Sequence, residues 1–503
     1  MLLFNSHINY HLQKQNFLGG VIMAMCLVIS SCKKLVDIPP PTQSLAENNT
    51  YATDAGAIGV LNGLYISLTQ QSISGYGNPF QYSKSIGLLA GLSADELNAV
   101  GTSSIYSPYY KNQLSISATT SVGYELWSPL YNLIFRCNAA VQGLQNSSAL
   151  TPAVKQQLLG EAKFMRAFLY FYVVNLFGDA PLALSTDPLA NTLLPRSPKN
   201  ELYLQIIADL QEAKNLLSSN FLDASLLKST SERVRPTQWA ATALLARTYL
   251  YTNKFDSAEL YSTQVINNAT LYDTVSLNKV FLKNSKEAIW QLQPTVNNFN
   301  TLDGLVYIIP STGPTSGNVV LTKFLLNTFD TADQRAVLGN WINRTIYNSS
   351  STSKDTAYYV FKYKVANSTG VTSVAAMTEY FMVLRLAEQY LIRAEARAQQ
   401  NNIGGAQSDL NIIRTRAGLP NTTSSTKDDL LSAILNERRH ELFCEWGHRW
   451  LDLKRTGKVD AVMSVITPLK ANGLSWQSYQ QLYPLQKSEL DRAPNLDQTP
   501  GYN

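Results

Sequence analysis

The sequence predicts a mainly α protein: a tetratricopeptide-like helical-repeat scaffold of about four helix pairs, with an irregular, partly β lobe built onto it. Three observations predict this fold. Helical hairpins recur along the chain, and small residues stand where paired helices must meet. Two long stretches rich in Gly, Pro, Ser, Asn and Tyr interrupt the rhythm.

The N-terminus comes first and is not part of that fold. An apolar run of 15 residues, Phe17 to Ser31, follows Lys14. It is shorter than the roughly 20 residues needed to span a bilayer as a helix, and small residues close it, which is the layout of a secretory signal. Ile29-Ser30-Ser31-Cys32 is similar to a bacterial lipobox, with cleavage before Cys32 and acylation of that residue. One acyl chain gives marginal membrane binding and two or more hold firmly. The expected organisation is therefore a signal peptide over residues 1–31, a lipidated Cys32 with a Pro-rich tether over 32–44, and one folded body over 45–503. Pro39-Pro40-Pro41 keeps the tether extended.

Helical pairs are expected near 124–267 and 380–455. In EAKFMRAFLYFYVVNLFGDAPL, the residues Phe164, Phe168, Phe171 and Leu176 keep helical spacing, and Gly178 then Pro181 supply the stop. Leu245, Ala246, Tyr249, Phe255 and Ala258 follow the large-small-aromatic pattern of a tetratricopeptide pair. A second pair has Leu384, Ala387, Leu391, Ala394 and Ala398 on one face, a turn expected at Gly404-Gly405, and Ala406, Leu410, Ile413 and Ala417 on the return helix.

The irregular lobe is expected near 72–123 and 268–378, where KEAIWQLQP and TAYYVFKYK read as strands. Irregular segments on a rigid scaffold are where binding residues concentrate. Tyr76, Phe80 and Tyr82 sit among turn formers, as do Tyr106, Tyr109 and Tyr110. Rings displayed on turns form a stacking surface for pyranose faces, and neighbouring amides and carboxylates can bind the hydroxyls. Asp95-Glu96 reads as a ligand contact or a helix start.

Chemistry at the covalent level finds no support. His440-Glu441 begins an HExxH-like pattern, but Cys444 occupies the second histidine position and His448 lies a further turn on. Two turns span about 11 Å and zinc bonds about 2 Å, so one ion cannot be closed upon from i, i+4 and i+8. No metal or cofactor is expected. Glu437, Glu441 and Glu445 instead form an acidic row, which Arg438, Arg439, Arg449 and Arg455 are close enough in sequence to neutralise; the expected result is a structural ion-pair network. A glycosidase needs two opposed carboxylates about 5 to 10 Å apart, and Asp95 and Glu96 are adjacent. Neither a phosphate-binding loop nor a G-x-S-x-G elbow is present. The chain is expected to be no enzyme.

Bulk composition narrows the partners. A net charge of +5 over 503 residues, without any basic block, excludes a nucleic-acid footprint. Charged residues make up only 15%, and the 27 tyrosines far outnumber the 7 tryptophans, so the polar surface is mostly neutral and suits hydroxyl-rich ligands. Cys137 and Cys444 are the mature thiols beyond the anchor, and their pairing stays open.

SSCKKLVDIPPPTQ, YATDAGAIGVLNGLY, EAKFMRAFLYFYVVNLFGDAPL, YLIRAEARAQQNN with DLNIIRTRAGL, ILNERRHELFCEWGHRWLDLKRTG and the closing LYPLQKSELDRAPNLDQTPGYN carry a resemblance over essentially the whole chain. Together they resemble the SusD/RagB family of Bacteroidetes outer-membrane nutrient-binding lipoproteins. The resemblance implies a non-catalytic protein at the cell surface that captures oligosaccharides and closes over a SusC-like TonB-dependent outer-membrane transporter. The alternatives it leaves are a peptide-capturing RagB-like relative and, outside the resemblance, a protein-protein scaffold. It also places Asp95, Glu96, the tyrosines after them, and the surroundings of Phe299 and Tyr307 in the family's binding loops. Lys33-Lys34 and a single Asp37 follow the lipidation site, where such proteins usually carry several acidic residues, so the face of the outer membrane stays open.

Overall fold

A computed structural model describes residues 50–69, 82–101, 106–116, 126–295, 301–315, 317–350, 353–366, 374–470 and 473–502. The signal segment, Cys32, the tether, Tyr76, Phe80 and Phe299 lie outside the described residues.

The first half runs α1 (Asp54–Thr69), α2 (Tyr82–Ser93), β1 (Leu97–Ala99), α3 (Tyr106–Tyr110), α4 (Trp127–Asn146), α5 (Pro152–Phe177), α6 (Pro188–Thr192), α7 (Lys199–Leu216), α8 (Gln238–Tyr251) and α9 (Phe255–Ile266). The 26-residue α5 is the axis of the core. Pro152 opens it, where a missing N–H is harmless, and Gly178 closes it at φ 73°, a conformation that favours glycine. Phe164 and Phe168 meet Trp290 edge-on at 5.0 and 5.4 Å. Buried Arg166 forks onto Asp209 of α7 at 2.8 and 2.7 Å, fixing the angle between these helices.

The middle of the chain supplies β2 (Ala288–Leu292), α10 (Leu302–Tyr307), β3 (Val319–Leu321), α11 (Lys323–Leu326), β4 (Ile342–Asn348), β5 (Lys354–Val360) and β6 (Phe381–Arg385). The strands form three antiparallel ribbons, β1–β3, β2–β6 and β4–β5. All residues of β2 and β6 are buried, so this ribbon is interior and carries no solvent face.

The last third contains α12 (Leu386–Gln399), α13 (Ile403–Arg416), α14 (Lys427–Glu441), α15 (His448–Arg455), α16 (Val459–Lys470) and α17 (Lys487–Arg492). Helices α4, α5, α7, α8, α9, α12, α13 and α14 each pack on the next, which makes four successive pairs. The expected turn at Gly404-Gly405 is displaced. Asn401, at φ 63°, and Asn402 make it, and both glycines lie in the first turn of α13. Asn402 Oδ1 accepts the Gly405 N–H at 3.0 Å, and a Cβ on Gly405 would strike that cap at 2.7 Å. The segment 72–123 is also less irregular than its composition suggests, since it holds α2, β1 and α3.

The acidic row is a network, but its partners differ from those expected. Glu437 pairs with Arg335 at 2.7 Å and Arg414 at 3.3 Å. Glu441 binds Arg335, Arg385 and Arg416, and Glu445 binds Lys362 at 2.5 Å and Arg385 at 2.8 Å. Arg438 and Arg455 turn instead to Asp452, both at 2.7 Å, and Arg455 also to Glu395; Arg439 and Arg449 turn to Asp95. The reason is geometric: side chains on one helix face share a side and reach what packs against that side, here β6, Arg335 and α13. Charges buried this completely persist because each is met by at least one opposite charge, and Glu437, Glu441 and Glu445 by two or more.

Cys444, Trp446 and Gly447 all have positive φ, so the chain turns left-handed between α14 and α15. His440 and His448 therefore stand on different helices. His440 Nε2 lies 3.0 Å from Thr328 Oγ1 and its ring stacks on Phe329 at 4.5 Å. Burial, reinforced by the charge of Arg335, lowers its imidazole to about 3. Cys137 and Cys444 are both buried free thiols.

Candidate functional site

The base of the lobe is built on Asp95 and Glu96, between α2 and β1. Asp95 is buried, and its carboxylate accepts from Arg449 Nε and Nη2, both at 2.9 Å, and from Arg439 Nη2 at 2.6 Å. Burial alone would raise this carboxyl, but the two guanidinium groups hold it down at about 2. Glu96 is equally buried. Its Oε2 accepts the Cys444 N–H at 3.3 Å and its Oε1 has no partner. Burial, then the charge of Asp95, pushes it up to about 8, so it is protonated at neutral pH. Thr322 donates its N–H to Glu96 O at 3.0 Å and its hydroxyl to Asp95 O, which joins the β1–β3 ribbon to this pair. Asp95 and Glu96 therefore begin no helix and are shut off from solvent. Their role as contacts is corrected to that of a buried weld between lobe and scaffold.

Above this weld stands α3. Pro108 is tolerated in its first turn, so the turn-forming residues SPYY make a short helix in place of a loop. Tyr106 and Tyr110, one turn apart, share a face and remain half-buried. Tyr109 is fully buried and meets Tyr483 edge-on at 5.2 Å, so it is packing and its role as a ligand contact is likewise corrected. Tyr483 shares a 2.9 Å hydrogen bond with Ser93 Oγ. Asn112, at φ 53°, donates to Ser93 O at 2.9 Å and accepts from Thr467 at 3.1 Å. Lys470 closes the end of α2, donating to the carbonyls of Leu92 at 2.7 Å, Ser93 at 3.2 Å and Ala94, with its ammonium 5.2 Å from the Tyr110 ring. The two half-buried rings, packed against the core, thus ride on a helix fixed from three sides. Tyr82 opens α2.

Tyr307 ends α10 and is buried, its hydroxyl without a partner. Burial, then the neighbouring Cys444 thiol, raises its phenol well above the ordinary value. It supports the lobe from beneath and is corrected from contact to packing. Thr301 caps α10 through Gly304 N–H at 3.1 Å, and Gly304 brings the helix against the Val365 carbonyl. A Cβ there would lie 2.2 Å from that oxygen. Gly304→Ala is expected to destabilise the chain by about 1–3 kcal/mol, read as a lower denaturant midpoint at unchanged slope.

Sequence reasoning missed Lys470, Asn112, Thr322 and Tyr483. Only Asn112 carries a local signal, since Asn tolerates the left-handed conformation. The others act across more than 200 positions of sequence. Among the described residues no group of three or more His, Cys, Asp or Glu is arranged to hold a metal, and no helix is long and apolar enough to cross a membrane.

Residues 332–502 match the sequence model described as the SusD family, and residues 81–250 match one described as starch-binding associating with outer membrane. The chain belongs to the SusD/RagB family. SusD-like protein P38 of Formosa agariphila is 27% identical to this SusD/RagB protein over 427 residues, covering 77% of this chain and 82% of that one. Starch-binding protein SusD of Bacteroides thetaiotaomicron is 24% identical over 434 residues, covering 71% and 75%. The crystal structure of a SusD superfamily protein from Bacteroides vulgatus superimposes with a TM-score of 0.73 at 20% identity, over 89% of this chain and 99% of that one, so the fold is shared.

Proposed function

We propose that this SusD/RagB protein is a non-catalytic, lipid-anchored binding protein that captures oligosaccharides or polysaccharide fragments and delivers them to a SusC-like TonB-dependent transporter. The observation that carries the reading is the pair Tyr106 and Tyr110: two half-buried rings on one helix face, locked by Tyr109, Asn112 and Lys470. Rings held at fixed spacing stack on successive sugars without losing side-chain entropy on binding. The family model matched over 81–250 spans these residues, and its description as starch-binding and outer-membrane-associating supports both ligand class and location. Cys32 supplies the anchor, and Tyr76, Tyr82 and Phe299 are proposed as further ligand contacts.

Replacing Tyr106 and Tyr110 together by Ala is expected to weaken retention on a bound glycan by about tenfold or more, at ~0.5–1.5 kcal/mol per ring, without unfolding the chain. Tyr109→Ala is expected to act differently, costing about 3–5 kcal/mol of stability because it empties a packed site. Affinity electrophoresis and denaturant unfolding on the same variants check both. Unchanged retention in the double variant would remove the platform assignment.

A further inference from the structure

A cavity of about 880 Å³ lies on the helical scaffold, where the C-terminal ends of α5, α8 and α15 meet the start of α7 and the segment after α17. Four basic residues line it, Arg455 and the trio Arg196, Lys199 and Lys454. Among the described residues none of the three has a carboxylate within ion-pair distance, whereas Arg455, at the same wall, is held by Glu395 and Asp452. Arg196 spends its donors on neutral oxygens, those of Phe177 at 3.3 Å, Asp179, Asp497 at 2.9 Å and Thr499 at 3.0 Å. Lys454 donates to the Asn175 carbonyl. Burial, with the charge of Lys199 beside it, lowers its ammonium to about 7, so an arriving anion restores the charged form.

Two carboxylates oppose these charges. Asp179 is exposed and accepts the Lys199 N–H at 2.8 Å, and Asp497 is exposed at the rim. With Arg455 paired to Glu395 and Asp452, the other three basic groups face two carboxylates, an excess of one positive charge once Lys454 is protonated, which suits a ligand of low charge density. The remaining surface is neutral, with apolar Val174, Phe177, Leu482 and Pro500 beside polar groups. Asn200 and Asn253 present amides, and Tyr203 donates its hydroxyl to Asn175 Oδ1 at 3.1 Å, leaving its ring as a wall. The volume lies within the ~300–1,000 Å³ of small-ligand sites.

We propose that this cavity is a second ligand site, which takes an acidic oligosaccharide through the carboxylate of a uronic-acid unit. Arg196, Lys199 and Lys454 surround the carboxylate, and the amides meet the hydroxyls. The saccharide identity rests on the glycan reading above; the position and charge preference rest on the cavity alone.

The test is calorimetric titration of the full-length chain with trigalacturonic acid, its carboxyl-reduced trimer and triglutamate. The acid trimer is expected to saturate, and the reduced trimer to bind at least about tenfold more weakly, since a charge-assisted contact is lost. Lys454→Met is expected to lose about tenfold or more, and Lys199→Ala, whose side chain is exposed and leaves folding intact, several-fold. The double alanine variant at Tyr106 and Tyr110 is expected to bind the acid trimer as the parent does. Absence of binding by the acid trimer, binding unaltered in both lysine variants, or triglutamate binding as tightly would each overturn the proposal. Loss of binding in the tyrosine variant alone would also overturn it, while leaving the lobe platform standing.

Discussion

Replacing Arg385 by Met is expected to destabilise the protein by about 3–5 kcal/mol, the cost of breaking a buried ion pair from one side. Arg385 is buried at the junction of β6 and α12, where its guanidinium reaches three carboxylates. It donates to Glu287 at 3.0 Å, to Glu441 at 2.5 Å and to Glu445 at 2.8 Å, and also to the Glu441 carbonyl at 2.8 Å. Met fills a similar volume but leaves these three acids to Arg416, Lys362 and an Arg335 already shared with Asp333 and Glu437. The change is read from the denaturant midpoint at constant slope. A loss below about 1 kcal/mol would mean that the remaining bases neutralise the cluster unaided.

Glu96→Gln is expected to do the opposite, and in a pH-dependent way. The folded Glu96 carboxyl titrates at about 8 against 4.5 for the ordinary group. Below pH 4.5 both folded and unfolded chains carry the proton, and Glu96 imposes no ionisation penalty. Between 4.5 and 8 the unfolded chain releases it and the folded chain keeps it, so stability falls as pH rises; above 8 the penalty is complete. Gln mimics the protonated form at every pH. The stability difference between variant and parent is expected to grow in the variant's favour by on the order of 4 kcal/mol from pH 4.5 to pH 8. Asp95, held at about 2, stays charged throughout the window and does not contribute to the change. Parallel pH profiles for the two proteins would show that Glu96 ionises freely in the folded state.

These two sites also mark where the sequence was legible. Helical periodicity locates α5, α8, α9, α12 and α13, because a helix facing a core repeats its apolar residues locally. The alternation in KEAIWQLQP and TAYYVFKYK gives β2 and β5. An acidic row opposite several arginines announces a network, but who pairs with whom depends on packing between distant segments. Asp95 and Arg449 are 354 positions apart, and Arg335 and Glu441 are 106 apart. For the same reason the adjacent acids read as a ligand contact or a helix start, although Asp95 and Glu96 are among the most buried carboxyl groups of the described residues. At the candidate site, composition marks the tyrosines as a group. It cannot separate Tyr106 and Tyr110 from Tyr109, since that division is made by Tyr483, 374 positions later.

The central claim is that a braced pair of tyrosines on a helical scaffold captures glycans, and isothermal titration calorimetry tests it most directly. The purified chain and its double alanine variant at Tyr106 and Tyr110 are titrated with soluble neutral polysaccharides, their oligosaccharides and a mixed peptide pool. The predicted result is saturable binding to one neutral glycan class by the parent and at least about tenfold weaker binding by the variant. Binding to peptides alone, or glycan binding that the variant retains in full, would contradict it.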